Sequence, residues 1–267
     1  MLKDITIGQY FPGDTPIHRM DPRTKILNVI LYIVALFTCG GIVGYLLVLA
    51  YLILAVRVSK IKLKTILKGV KPLIIIIIFT ALLNMFYTPG NELVHIWRLT
   101  ITDAGVKNAV LMVARIIMLI TGTFLLIYTT SPITLTDGLE LLLNPLKKLH
   151  APVHELAMMM SIALRFIPTL IEETDKIMSA QKARGADFET GNLLQKAKAL
   201  IPILVPLFVS AFRRADELAT AMECRCYTGG EGRTRLNPLH WQRLDTLGLC
   251  VGIALLAGVI ILRQFGL

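Results

Sequence analysis

Two arginine-centred triplets, Ala183-Arg184-Gly185 and Cys224-Arg225-Cys226, carry the most specific chemistry in the chain, and Tyr227 follows the second. A guanidinium presents a planar fork of donors that pairs with a carboxylate through two hydrogen bonds. At the tip of a projecting helix such a fork fits an acidic groove on another protein. A cation is favoured at any helix C-terminus by the helix dipole, and that alone explains one such arginine. Two of them, closing two consecutive amphipathic stretches, favour docking.

Other reactive side chains lead to less. His150 and His154 stand four apart beside Glu155, a spacing that can put two imidazoles on one metal, but Pro152 lies between them. No third ligand has suitable spacing, so a cluster at a helix start is the expected reading, with neither a metal site nor a catalytic residue. The Gly-x-x-x-x-Gly-Lys loop that cradles nucleotide phosphates is absent, so any ATP chemistry is expected on partners. Cys39, Cys224, Cys226 and Cys250 lack the two-residue spacing of zinc or redox motifs and are expected to be reduced thiols.

The elements that position these residues follow from composition. The 267 residues are 55% hydrophobic and only 17% charged, whereas soluble domains carry about 25% charged residues. The apolar residues fall in unbroken blocks, as membrane spans do. Met1–Lys25 is polar and contains Pro12, Pro16 and Pro22, so the first span rather than a cleaved leader is expected to direct insertion. From Ile26 to Val56 no residue is charged, which is too long for one crossing. A hairpin breaking at Gly40 and Gly41 keeps Arg19, Arg23 and Lys25 on the same side as Arg57, Lys60, Lys62, Lys64, Lys68 and Lys71, as the positive-inside rule requires. That basic loop holds no aromatic residue, which argues against nucleic acid as its partner.

Further blocks run from Pro72 to Tyr87, Ala109 to Tyr128 and Leu244 to Leu262. The connection Thr88–Gly105 carries little positive charge and is expected outside. Arg115 within the fourth block is expected to snorkel. Asn28, Asn84 and Arg115 are the only polar candidates for a transport path, a thin lining for a self-sufficient carrier.

Between Ser131 and Gln242 charges of both signs alternate with apolar residues at helical spacing, predicting an amphipathic cytoplasmic insert. Its first helix has Thr134 and Asp137 as a capping pair and ends near Asn144 and Pro145. The second runs from about Val153 to Arg184, with Gly185 in a left-handed cap. The third starts near Asn192 and continues to about Tyr227, where Gly229 and Gly230 stop it. Both long helices begin apolar and end charged, so their C-terminal halves, Glu172–Arg184 and Arg213–Arg225, are expected to project into the cytosol. The expected fold is an all-α integral membrane protein of about five transmembrane helices plus a cytoplasmic unit of long coupling helices. The expected domains are 1–130, 131–242 and 243–267, with the N-terminus cytoplasmic and the C-terminus outside.

The two triplets, the segment Ser161-Ile162-Ala163-Leu164-Arg165-Phe166-Ile167-Pro168 and the N-terminal His18-Arg19-Met20-Asp21-Pro22-Arg23-Thr24-Lys25 resemble the T component of energy-coupling-factor transporters over nearly the whole chain. The resemblance implies a bacterial membrane subunit joining two cytoplasmic ATPases, which hold ATP and Mg, to a small substrate-binding S component that takes up vitamins or related micronutrients. Arg184 and Arg225 would dock into the ATPases, with cysteines flanking the second arginine where the family commonly has small residues. Met158, Met159, Met160 and Leu164, with Met178 and Met222, would offer an adaptable surface to exchangeable partners, and Pro168, Pro202 and Pro206 would bend the helices. A dedicated cobalt, nickel or biotin uptake system, or a stand-alone carrier, remains an alternative.

Overall fold

A backbone in hydrocarbon must satisfy its own polar groups, which for blocks of this length means helices. The computed structural model describes residues 10–89, 92–96, 99–188, 192–230 and 238–265. Its helices are α1 Pro16–Arg19, α2 Pro22–Thr38, α3 Ile42–Ser59, α4 Leu63–Val70, α5 Ile74–Tyr87, α6 Asp103–Thr129, α7 Pro132–Leu143, α8 Val153–Ala183, α9 Leu193–Cys224 and α10 Arg243–Gln264. The chain divides into two compact units, one of Gly8–Gly138 with Leu239–Leu267 and one spanning Leu139–Pro238.

Among the described residues six helical runs are long and apolar enough to cross a membrane: α3, Leu63–Tyr87, α6, α8, Leu194–Cys224 and α10. The expectation of about five counted α2, which has 17 residues, and left out α8 and α9. In each of those two a single long helix continues from an apolar stretch into a charged one. The chain is a multi-pass membrane protein of all-α class. The uncharged run from Ile26 to Val56 does break at Gly40 and Gly41, between α2 and α3. At 1.5 Å per residue these helices are about 26 and 27 Å long, close to the hydrocarbon thickness of about 30 Å.

The structure adds three local details. Ser131, not Thr134 with Asp137, caps α7: its Oγ accepts from Thr134 N–H at 3.2 Å, because Pro132 sets the first helical φ one residue later. The connection after α5 holds an antiparallel hairpin, β1 Glu92–Ile96 and β2 Leu99–Thr102, suited to its β-branched residues. Arg115 reaches toward the α2–α3 turn: its Nε donates to Tyr45 Oη at 2.7 Å, and its guanidinium lies 5.7 and 5.6 Å from the Phe37 and Tyr45 ring centres. It ties α6 to the α2–α3 turn.

In this first unit α2 packs against α10, α3 and α6 around Tyr32, Leu36, Val48, Met118 and Leu255. Tyr32 Oη donates to Met118 C=O at 2.8 Å. Asn28 lies against Gly248 and Gly252 of α10, where only glycine leaves room for its carboxamide, and Asn84 bonds Thr80 C=O within its own helix.

The α5–α6 crossing is tighter. Thr102 caps α6 by accepting from Gly105 N–H at 3.0 Å and donates to Thr88 C=O at 2.8 Å, bringing the two helix ends together. A Cβ at Gly105 would stand 2.6 Å from Met85 C=O, a backbone atom that cannot rotate away. Gly105→Ala is therefore expected to destabilise the protein by about 1–3 kcal/mol, seen as a lower unfolding temperature in detergent. An unchanged transition would refute this crossing.

The N-terminal motif organises the same unit. Asp21 caps α2 through Arg23 N–H at 2.9 Å and holds the Arg23 guanidinium at 3.1 and 2.8 Å. The Asp21 amide donates to Asp245 Oδ1 at 2.7 Å, and the other oxygen of that fully buried carboxylate accepts from Gln242 N–H at 2.7 Å. Lys25, also buried, spends its donors on His18 C=O, Thr129 C=O and Thr130 Oγ1, so it pins α2 to the last turn of α6. Residues that the positive-inside argument used only as charges are thus staples as well.

Candidate functional site: two arginine-tipped helices

The second unit is built on α8 and α9, each about 47 Å long by helical rise. Asn192 opens α9 with a capping box closed by Gln195, matching the expected start. Both helices end in the same hydrogen-bond pattern. After α8, Gly185 N–H bonds Lys182 C=O at 3.0 Å and Ala186 N–H bonds Gln181 C=O at 3.0 Å, with Gly185 at φ +88°. After α9, Cys226 N–H bonds Glu223 C=O at 2.8 Å and Tyr227 N–H bonds Met222 C=O at 3.0 Å, with Cys226 at φ 54°. These are paired Schellman closures, and in each the arginine is the cap residue itself, held on a fixed backbone with its side chain exposed.

Gly185 takes the left-handed cap expected of it. The end of α9 comes earlier than expected, at Cys224, because Cys226 adopts the left-handed conformation ahead of Gly229 and Gly230. A non-glycine residue pays about 1–2 kcal/mol there. Cys226→Gly is expected to strengthen the second tip and Gly185→Ala to weaken the first, each by about 1 kcal/mol. Amide hydrogen exchange reads this directly: Tyr227 should gain about fivefold protection and Ala186 lose as much.

The two helices pass each other antiparallel. Arg214 Nη2 meets Glu173 Oε2 at 3.0 Å, while farther along α8 Gln181 Nε2 donates to Pro202 C=O at 3.4 Å, farther back on α9. That carbonyl is free because Pro206, four residues on, has no N–H to give it. At the other end of the pair, Gly230 lies against the His154 ring, whose Nδ1 is 3.0 Å from Glu140 Oε1 of α7. His154 is therefore engaged in packing the start of α8 and does not pair with His150, which sits in a left-handed turn. Among the described residues no group of three His, Cys, Asp or Glu is placed to hold a metal.

Antiparallel packing corrects one expectation. Two rods anchored at their apolar starts would carry both tips in the same direction. Here Arg184 lies 11 residues beyond Glu173 and Arg225 lies 11 beyond Arg214, each about 16 Å along its helix in opposite senses. The arginines stand roughly 30 Å apart, one at each end of the pair.

Of the other expected surface residues, Met159, Met160 and Pro168 on α8 and Pro202 and Pro206 on α9 are exposed, while Met158 and Leu164 are half-buried. The larger apolar surface lies on α9, where Leu200, Leu204, Phe208 and Phe212 form one exposed row and Ile201, Val205 and Val209 the next. The i, i+4 spacing of those residues was visible in the sequence; which side the partner helix would cover was not.

Fold and site together define a multi-pass helical membrane protein carrying an antiparallel pair of arginine-tipped helices. The family described as CbiQ, cobalt transport protein, matches residues 13–236. The chain is 54% identical to the energy-coupling factor transporter transmembrane protein EcfT of Clostridium kluyveri over 98% of each chain, and 53% identical to that of Thermosediminibacter oceani over 99% of each. The corresponding protein of Lactococcus lactis is 48% identical over 98% of each chain. The chain belongs to this family and is a transmembrane component of an energy-coupling factor transporter.

Proposed function

We propose that this chain is the non-catalytic coupling subunit of its transporter, passing the motion of two cytoplasmic ATPases to a substrate-binding S component for uptake of vitamins or related micronutrients. Residues 131–242 lie on the cytoplasmic side in this reading, with the N-terminus cytoplasmic and the C-terminus outside. The observation that carries it is the pair of matched closures, which present Arg184 and Arg225, with Ala183, Gly185, Cys224, Cys226 and Tyr227 around them, at opposite ends of the helix pair. Two docking tips roughly 30 Å apart suit two separate ATPase subunits better than two grooves on one. When nucleotide draws the ATPases together, each tip follows its own subunit and the pair pivots about the Glu173–Arg214 contact. The apolar face of α8 and α9, from Met158, Met159, Met160 and Leu164 past Pro168, Pro202 and Pro206, then changes what it offers to the S component. ATP and Mg remain on the partners.

A dedicated cobalt system is the second reading, favoured by the description of the matching family. Purification of the assembled transporter tests both. Arg184→Ala is expected to lose one ATPase and Arg225→Ala the other; retention of both by each variant refutes the docking role. Several S components recovered with one wild-type chain support a shared module, and a single one supports a dedicated system.

A further inference from the structure

The short helix α4 and its flanks form a basic surface that coupling does not use. No acidic residue occurs from Pro22 to Asn91, while Arg57, Lys60, Lys62, Lys64, Lys68 and Lys71 cluster there and all are exposed. The stretch of α6 against which α4 packs is uncharged from Ile116 to Thr129, so it provides no counter-ion either.

The shape of α4 says what would provide one. Ile66 and Val70, at 2% and 7% exposure, lie one turn apart on the face turned to the protein, where Ile66 joins Val56 and Tyr128 with Phe124 packed beside them. Gly69 lets the Phe124 ring approach closely. At 100° per residue Leu63 and Leu67 fall just beside that face, yet they are 62% and 58% exposed. Lys64 and Lys68 point from the opposite side. One arc is thus fastened to the protein, the next offers leucines to hydrocarbon, and the remaining one offers ammonium groups. Because α4 continues through Lys71–Leu73 into α5 as one run, Leu63–Tyr87, this arrangement sets its lysines at headgroup level where the run enters the membrane.

We propose that α4 and its flanking lysines form a docking surface for anionic phospholipid headgroups. The argument is charge complementarity: a cationic surface with no ion-pair partner among the described residues, set beside leucines that need lipid. It rests on the orientation proposed above only for naming the cytoplasmic leaflet as the source, since lipid retention in detergent does not depend on topology or on ATPase docking.

The full-length chain, purified from micelles with equal amounts of phosphatidylglycerol and phosphatidylcholine, is examined by native mass spectrometry. Wild type is expected to retain several-fold more phosphatidylglycerol, with the excess lost in high salt. The fourfold variant Lys60→Gln, Lys62→Gln, Lys64→Gln, Lys68→Gln is expected to lose most of that excess, keeping only what Arg57 and Lys71 hold, because each lysine near an anionic surface contributes up to about a fivefold preference. The matching fourfold arginine variant should keep the excess. No preference in wild type, or an undiminished preference in the glutamine variant, would overturn the proposal.

Discussion

With Arg184 and Arg225 both changed to alanine, ATP-driven uptake by the assembled transporter is expected to fall to background while the chain still inserts and unfolds at its normal temperature. Both side chains are exposed, so their removal should change stability by no more than about 0.5 kcal/mol. Truncating one partner of a buried interfacial charge pair costs about 2–5 kcal/mol, a loss of roughly 30-fold to several thousand-fold in affinity at each tip. Because the tips lie on opposite ends of the helix pair, the two losses should add in binding. Uptake, which needs both ATPases seated, should collapse with either. Lysine at each position keeps the charge but not the planar fork, so Arg184→Lys and Arg225→Lys are expected to fall between wild type and alanine. Undiminished uptake by the double alanine variant would remove the docking tips from the mechanism.

The second large effect concerns stability rather than transport. Asp245→Ala should destabilise the membrane unit by about 2–4 kcal/mol, because it leaves the buried Asp21 amide without its acceptor and removes the capping contact to the Gln242 amide at the start of α10. For a unit of this size that corresponds to a fall of order 10 °C in unfolding temperature. Asp245→Asn keeps one carbonyl acceptor and should lose about half as much. Thermal unfolding in detergent gives the ranking wild type, Asn, Ala. Equal transitions for all three would mean that the carboxylate does not join the chain's two ends.

That second site shows where reading residues in order stops being informative. The motif His18-Arg19-Met20-Asp21-Pro22-Arg23-Thr24-Lys25 was conspicuous, and Pro22 after Asp21 is a helix start on local grounds. Nothing local says that Asp21 meets Asp245, because that bond joins positions 224 apart in the chain. Lys25 read as a charge that chooses a side of the membrane; its burial against the end of α6 needed the packed helices. The same holds for Arg115, whose partners Phe37 and Tyr45 come from the α2–α3 turn.

Membrane character, the break at Gly40 and Gly41, the left-handed closure at Gly185 and the start of α9 at Asn192 were determined by the amino-acid sequence alone. Each depends on the solvent preference of an unbroken block or on the φ, ψ and hydrogen bonds of a few neighbours. Tertiary structure decided that Cys226 rather than a nearby glycine closes α9, that α8 and α9 run antiparallel, and that their arginines therefore face apart. The reason is physical: helical periodicity says which residues share a face, but not which way a neighbouring helix points. The Glu173–Arg214 and Gln181–Pro202 contacts supply that direction.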